Sequence, residues 1–159
     1  MAEGIKKRLI GVIGTGTCDG SLADTAFETG RLIALYGYGL VNGGLGGVME
    51  ASARGCRSEG GLTVGILPGL EVSAANAFME ILIPTGLGDI RNLMIVRASA
   101  ALIAVGGEYG TLSEIALGLK AGKSVIGLNT WDIRGVQPAD SAQDALRLAV
   151  EAMNKNKEL

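Results

Sequence analysis

A chain of 159 residues, 48% hydrophobic and 19% charged, carries enough apolar content for a packed core and lacks the bias of a disordered segment, so one domain over residues 1–159 is expected. A net charge of −2, basic residues scattered apart from Lys6-Lys7-Arg8, and 4% aromatics supply neither the field nor the stacking platforms of a nucleic-acid partner. Histidine is absent, which removes Ser-His-Asp and Cys-His catalysis and histidine zinc sites; Cys18 and Cys56 form no CxxC pattern, so no metal site is expected and a reducing cytoplasm suits the chain.

The first apolar stretch, Leu9 to Gly16 after the basic triplet, imitates a signal peptide, but its glycines suit a buried strand better. No apolar run reaches the roughly 18 residues that span a bilayer, and no membrane partner is expected. Leu9 to Gly14 reads as a strand, Gly16 to Gly20 as turn, and the next segment as a helix capped by Ser21 with Asp24. Ala26, Leu32, Ile33 and Tyr36 supply its inward face, and Gly37 or Gly39 ends it. A strand from Leu40 to Asn42, a loop from Gly43 to Gly47, a helix from Val48 to Glu59 and a strand from Leu62 to Leu67 follow. Glu71 to Phe78 is ambiguous, with a short helix as one reading, before an apolar run from Met79 to Ile83 that Pro84 stops.

Beyond it the pattern predicts a helix from Asp89 to Ala98, a strand from Ala101 to Val105, a loop from Gly106 to Gly110, and a helix from Thr111 to Ala121. A strand from Ser124 to Leu128 and a helix from Ser141 to about Met153 complete the chain. Strands that are apolar throughout need a sheet covered on both faces, and repeated βα order makes that sheet mostly parallel. The expected fold is a Rossmann-like three-layer α/β/α sandwich, with ligands at the carboxyl ends of the strands.

Gly14-Thr15-Gly16 with Gly20 has GxGxxxG spacing, and Asn42 stands where a ribose-binding acid belongs, so a tight turn explains these glycines better than a dinucleotide site does; Gly14 is still expected among the contacts of a phosphorylated ligand. Gly118 to Ser124 looks like a P-loop but runs from helix to strand; Lys120 and Lys123 read as cations at a helix C-terminus closed by Gly122. Gly43, Gly44, Gly46 and Gly47 precede a helix, so their bare amides could meet a phosphate; backbone packed on backbone is the alternative. Gly86 belongs to a second such loop, and Gly106, Gly107, Gly110 and Thr111 to a third. There Thr111 could donate to a phosphate, or form with Glu114 a capping box that only satisfies the helix.

Residues 60 to 107 hold only five charges, and Arg91, beside Asp89 and Asn92 after a glycine loop, reads as a bidentate phosphate ligand or as a solvated helix residue. Glu50 near its helix start complements the dipole. The same scarcity of charge suits a buried interface between copies.

Gly43-Gly44-Leu45-Gly46-Gly47-Val48-Met49-Glu50, Arg91-Asn92 and Gly106-Gly107-Glu108-Tyr109-Gly110-Thr111-Leu112-Ser113-Glu114 together resemble the LOG-like superfamily over about residues 8 to 128. That group includes phosphoribohydrolases, which release the base from nucleoside monophosphates, and shorter molybdenum cofactor carrier proteins. A lysine decarboxylase label attached to the group is not expected to describe this chain. The hydrolase pattern is Pro-Gly-Gly-x-Gly-Thr-x-x-Glu after a helix bearing Arg-Lys; here Val105 replaces the proline and Asn92 the lysine. Short length and Thr-Gly-Leu-Gly-Asp-Ile-Arg-Asn look closer to the carriers.

The resemblance implies a phosphorylated nucleotide-like or pterin-like ligand, held by the glycine loops with Arg91, Asn92 and Thr111. The molybdenum cofactor would be bound as ligand, and no cofactor is required. If the chain is an enzyme, Arg91 and Glu114 are its implied catalytic residues for N-glycosidic cleavage. If it is a carrier, Glu114 caps its helix. A structural or regulatory oligomer with a vestigial site is the third alternative. Relatives of this kind form dimers or tetramers, which implies a homodimer or homotetramer here.

Overall fold

The computed structural model describes residues 6–156. The elements run β1 (Leu9–Gly14), α1 (Gly20–Leu35), β2 (Gly39–Asn42), α2 (Val48–Ser58), β3 (Thr63–Leu67), β4 (Ile81–Pro84), α3 (Asn92–Ala98), β5 (Ala101–Val105), α4 (Tyr109–Lys120), β6 (Val125–Leu128), β7 (Val136–Pro138) and α5 (Ala142–Lys155). Seven parallel strands make one sheet in the order β4-β3-β2-β1-β5-β6-β7. The architecture is the Rossmann-like α/β sandwich that the apolar runs predict. No helix among the described residues is long and apolar enough to cross a membrane.

Successive side chains of a strand point to opposite faces, and the two faces carry two separate cores. Ile10, Val12, Leu40, Ile103, Val105 and Ile126 pack under α1, α2 and α5. On the other face Ile13, Val41, Ile66, Leu102 and Ala104 pack under α3 and α4, through Ile95, Val96 and Ile115. The helices α1 and α2 cross almost backbone to backbone. A Cβ on Gly30 would stand 1.8 Å from the Ser52 carbonyl oxygen, and one on Gly55 1.9 Å from that of Phe27, so this crossing admits no larger residue at either position.

Several boundaries differ from the sequence reading, each for a local reason. Helix α1 begins at Gly20, with Asp19 at its N-cap and no side-chain cap; Ser21 lies inside the first turn, where its carbonyl accepts from Thr25 Oγ1 at 2.8 Å. The Ser21–Asp24 cap is therefore not formed. Tyr36 is no core residue either: it follows the last turn, is exposed, and its hydroxyl accepts from Gln143 Nε2 at 2.7 Å. Segment 71–78 contains only a 3-10 turn, Val72–Ala74, and the helix expected from Asp89 splits into a 3-10 turn, Gly88–Arg91, followed by α3. Strand β7 was not foreseen, because three residues ending in Pro138 form no periodic pattern; it pairs with β6 through a connection without a helix.

The strand at the other edge, β4, exposes Ile81 and Ile83, and around it Leu70, Val72, Leu87 and Ile90 are also exposed. An edge strand with this apolar surround offers both unpaired backbone groups and a surface for another chain.

Candidate functional site

Chain order runs outward from β1 to β4 and then jumps back across β1 to β5, so the loops after β1 and β5 diverge at their carboxyl ends. Such a switch point leaves a crevice that no crossover helix covers. A cleft of about 200 Å³ opens there, lined by Gly14, Thr15 and Gly16 after β1, by Glu108, Gly110, Thr111 and Glu114 after β5, and by Met49, Asp89, Arg91 and Asn92 from the flanks.

Helix α4 delivers its N-terminus to this cleft. It starts at Tyr109, with Glu108 in the N-cap position and no side-chain cap, so the expected Thr111–Glu114 capping box is not formed: both residues already lie within the helix. The first helical amide engaged by the chain itself is that of Leu112, which donates to the Glu108 carbonyl at 2.9 Å. Those of Gly110 and Thr111 precede it at the positive end of the helix dipole. A Cβ on Gly110 would meet nothing within 4 Å, so this part of the wall is open.

Arg91 reaches the cleft from the end of its 3-10 turn and is 7% exposed. Its Nε donates to the Ile66 carbonyl at 2.8 Å, Nη1 to Asn92 Oδ1, and Nη2 to the Gly43 carbonyl at 3.5 Å. These contacts fix the plane of the guanidinium and leave one N–H on each terminal nitrogen, since the group has five donors. Asn92 in turn donates to Ser113 Oγ at 3.4 Å and so ties the start of α3 to α4.

Glu114, 8% exposed, is the buried acid of the site. Burial pushes its pKa up to about 7, partly opposed by the positive charge of Arg91, and no hydrogen bond contributes. Near neutral pH the carboxyl thus both holds and releases a proton. Burial lowers the pKa of Arg91, against the opposing influence of Glu114 and Asp89, yet a guanidinium stays charged throughout the physiological range. With Asp89, Glu108 and Glu114 facing one arginine, the cleft has no excess of positive charge. An anion here would be held by directed N–H donors instead.

Of the residues singled out in the sequence, Gly14, Arg91, Asn92, Gly110, Thr111 and Glu114 line the cleft together, while Gly43, Gly44, Gly46, Gly47, Gly86, Gly106 and Gly107 do not. The loop before α2 is packed against the loop after β1. Val48 donates its amide to the Thr15 carbonyl at 3.0 Å, and a Cβ on Gly47 would stand 2.3 Å from the same oxygen. Gly43 lies against Arg91, where a Cβ would be 2.6 Å from Nη2. These glycines thus support the site by letting backbone and guanidinium approach. Gly86 and Gly106 pack on Leu70 and Leu22, and Gly107 on Thr111.

Thr15, Gly16, Met49, Asp89 and Glu108 belong to the lining without having been singled out as site residues. Beyond Gly14 the GxG loop reads locally as a simple turn, and the switch-point position that gives Thr15 and Gly16 a place in the cleft depends on strand order.

A model of the SLOG cluster4 family matches residues 7–158. An uncharacterized protein of Archaeoglobus fulgidus is 47% identical over 152 residues, covering 95% of this chain and all of that one. Among solved structures, the molybdenum cofactor binding protein of the phototrophic bacterium Rippkaea orientalis superposes with a TM-score of 0.88 at 37% identity, over 92% of this chain and 98% of that one. The Moco carrier protein of Chlamydomonas reinhardtii has a TM-score of 0.85 at 34% identity, over 94% and 99%.

Proposed function

The chain belongs to the SLOG cluster4 family, and from that premise we infer that it binds the molybdenum cofactor, a phosphorylated pterin, as cargo to be carried. The observation that carries this reading is the switch-point cleft, one small space lined by the first turn of α4 and by Arg91, two of whose five N–H bonds are uncommitted. A phosphate there accepts from the Gly110 and Thr111 amides and from Arg91, and needs no excess of positive charge around it. The resemblance to carrier structures over nearly the whole chain supports the same ligand. Free Cys18 and Cys56 support a cytoplasmic setting.

The test is equilibrium dialysis of the purified protein against cofactor released from a molybdoenzyme, with bound molybdenum and pterin both quantified. Stoichiometric binding that falls at least tenfold in Arg91→Met is expected. Molybdenum and pterin no higher inside the dialysis bag than outside would overturn the reading.

One observation favours a second reading. Glu114 does not cap its helix, and its buried carboxyl titrates near neutrality beside Arg91. In a nucleoside 5′-monophosphate phosphoribohydrolase, Arg91 holds the phosphate and Glu114 takes a proton from the water whose oxygen bonds to C1′ and passes it to the base nitrogen that leaves as the N-glycosidic bond breaks. Release of ribose 5-phosphate that disappears in Glu114→Gln is the result that would establish it.

The assembly of this reading is a homodimer or homotetramer, with the β4 edge as the contact between copies. Ile81, Ile83 and Ile90 lie exposed in a region nearly free of charge, which would pair with an identical surface at little desolvation cost.

A further inference from the structure

Outside the switch-point cleft, the loop between β6 and β7 encloses a second pocket of about 250 Å³ on the same carboxyl edge of the sheet. Its walls include Asn129, Thr130, Trp131, Asp132, Val136 and Pro138. Three features distinguish it from an ordinary surface dimple. Trp131 is held in place: its Nε1 donates to the Glu108 carbonyl at 3.3 Å, and its ring lies 6.0 Å from that of Tyr109. Thr130 Oγ1 is buried and has no hydrogen-bond partner among the described residues, an arrangement that is unfavourable unless something pairs with it. Asn129, which turns the chain into the pocket, has φ +49, the one positive φ outside glycine among the described residues.

Glu108 connects the two spaces. Its residue lines the switch-point cleft, and its carbonyl anchors the indole that walls the second pocket. Neither space reaches the roughly 300–1,000 Å³ of a site that encloses a drug-sized molecule. Each has room for one end of a ligand, and their chemistries differ: directed N–H donors in the first, an aromatic face with a carboxylate and a free hydroxyl in the second.

We propose that the pocket walled by Trp131 binds a planar heteroaromatic ring of the pterin type, as the ring end of the cargo whose phosphate lies in the switch-point cleft. The identity of the cargo rests on the carrier reading above. The ring stacks on the indole, its 2-amino and N3–H groups donate to the Asp132 carboxylate, and the Thr130 hydroxyl pairs with a ring heteroatom.

Trp131 is the only tryptophan of the chain, so its emission reports on this pocket alone. The probe is 6-hydroxymethylpterin, which has no phosphate, titrated into the full chain with N-acetyltryptophanamide as the optical control. Saturable quenching is expected, weakened about tenfold by Thr130→Val and by Asp132→Asn, variants checked for native circular dichroism. Inorganic phosphate should leave the emission unchanged. Quenching no greater than in the control, or equal in wild type and both variants, would overturn the proposal. If the pterin quenches as expected while the intact molybdenum cofactor fails to bind, the pocket stands as a heterocycle site and the carrier reading falls. If the cofactor binds but the pterin does not quench, the reverse holds.

Discussion

Arg91 and Glu114 face one cleft without an ion pair between them: the guanidinium is turned to the Ile66 and Gly43 carbonyls and to Asn92, and the carboxyl feels its charge only through space. The acid therefore remains mostly uncompensated. That arrangement is unfavourable for folding and useful for a site, because a partnered pair would leave neither group for a ligand.

It predicts a pH dependence of stability. The Glu114 carboxyl has a pKa of about 7 in the folded chain against an ordinary value of 4.5, so the native state binds the extra proton between these limits. Stability is greatest below about 4.5 as far as this group is concerned and declines as pH rises through 7. Glu114→Gln should remove that decline and gain on the order of 2 kcal/mol at pH 8, a rise in Tm of several degrees. Thermal unfolding of both proteins from pH 5 to pH 8 checks it; parallel curves would refute the burial argument.

Arg91→Lys should not be conservative. A lysine ammonium is a point charge that cannot bridge Ile66, Asn92 and Gly43 in one plane, so buried carbonyls lose their donors. A loss on the order of 2 kcal/mol is expected, with cofactor binding weakened more than tenfold. Urea unfolding and dialysis of the same preparation read both effects.

The two glycines Gly47 and Gly110 should respond oppositely to alanine. At Gly47 the backbone has φ +63 and a Cβ would strike the Thr15 carbonyl, so Gly47→Ala is expected to cost at least about 3 kcal/mol. Gly110 sits in open space within a helix, where alanine is better by up to about 1 kcal/mol. Gly110→Ala should thus fold at least as well as the parent while its methyl group narrows the cleft and weakens phosphate binding.

If copies pair at the β4 edge as proposed, Ile83→Lys together with Ile90→Lys should yield monomers without lowering the stability of the single chain, in which both side chains are exposed. Light scattering on the eluting protein measures this directly; an unchanged mass would place the contact elsewhere.

Most of the layer architecture was legible because apolar runs such as Ala101 to Val105 are too short for helices and too uniformly apolar for half-exposed strands. Ser141 was legible as a helix start for the same local reason: its Oγ accepts from the Asp144 amide at 3.1 Å. Failures came where local and distant partners compete. Thr111 and Glu114 have the spacing of a capping box, but the chain enters α4 two residues earlier, and both side chains become part of the cleft wall. The glycines at 43 to 47 looked like a phosphate cradle, yet half of what surrounds them comes from Thr15, Gly16 and Arg91, far away in sequence.

What the sequence determined alone was therefore what is set by neighbours along the chain: six of the seven strands, that both faces of the sheet are covered, and which residue types are available for chemistry. Only the tertiary structure decided that the loop after β1 and the loop after β5 line one cleft, that Arg91 is oriented by carbonyls of β3 and of the loop after β2, and that Glu114 is buried beside it without a partner. The reason is that strand order, and with it the dielectric surroundings of a carboxyl, is a property of packing between distant segments. No pattern of near neighbours encodes it.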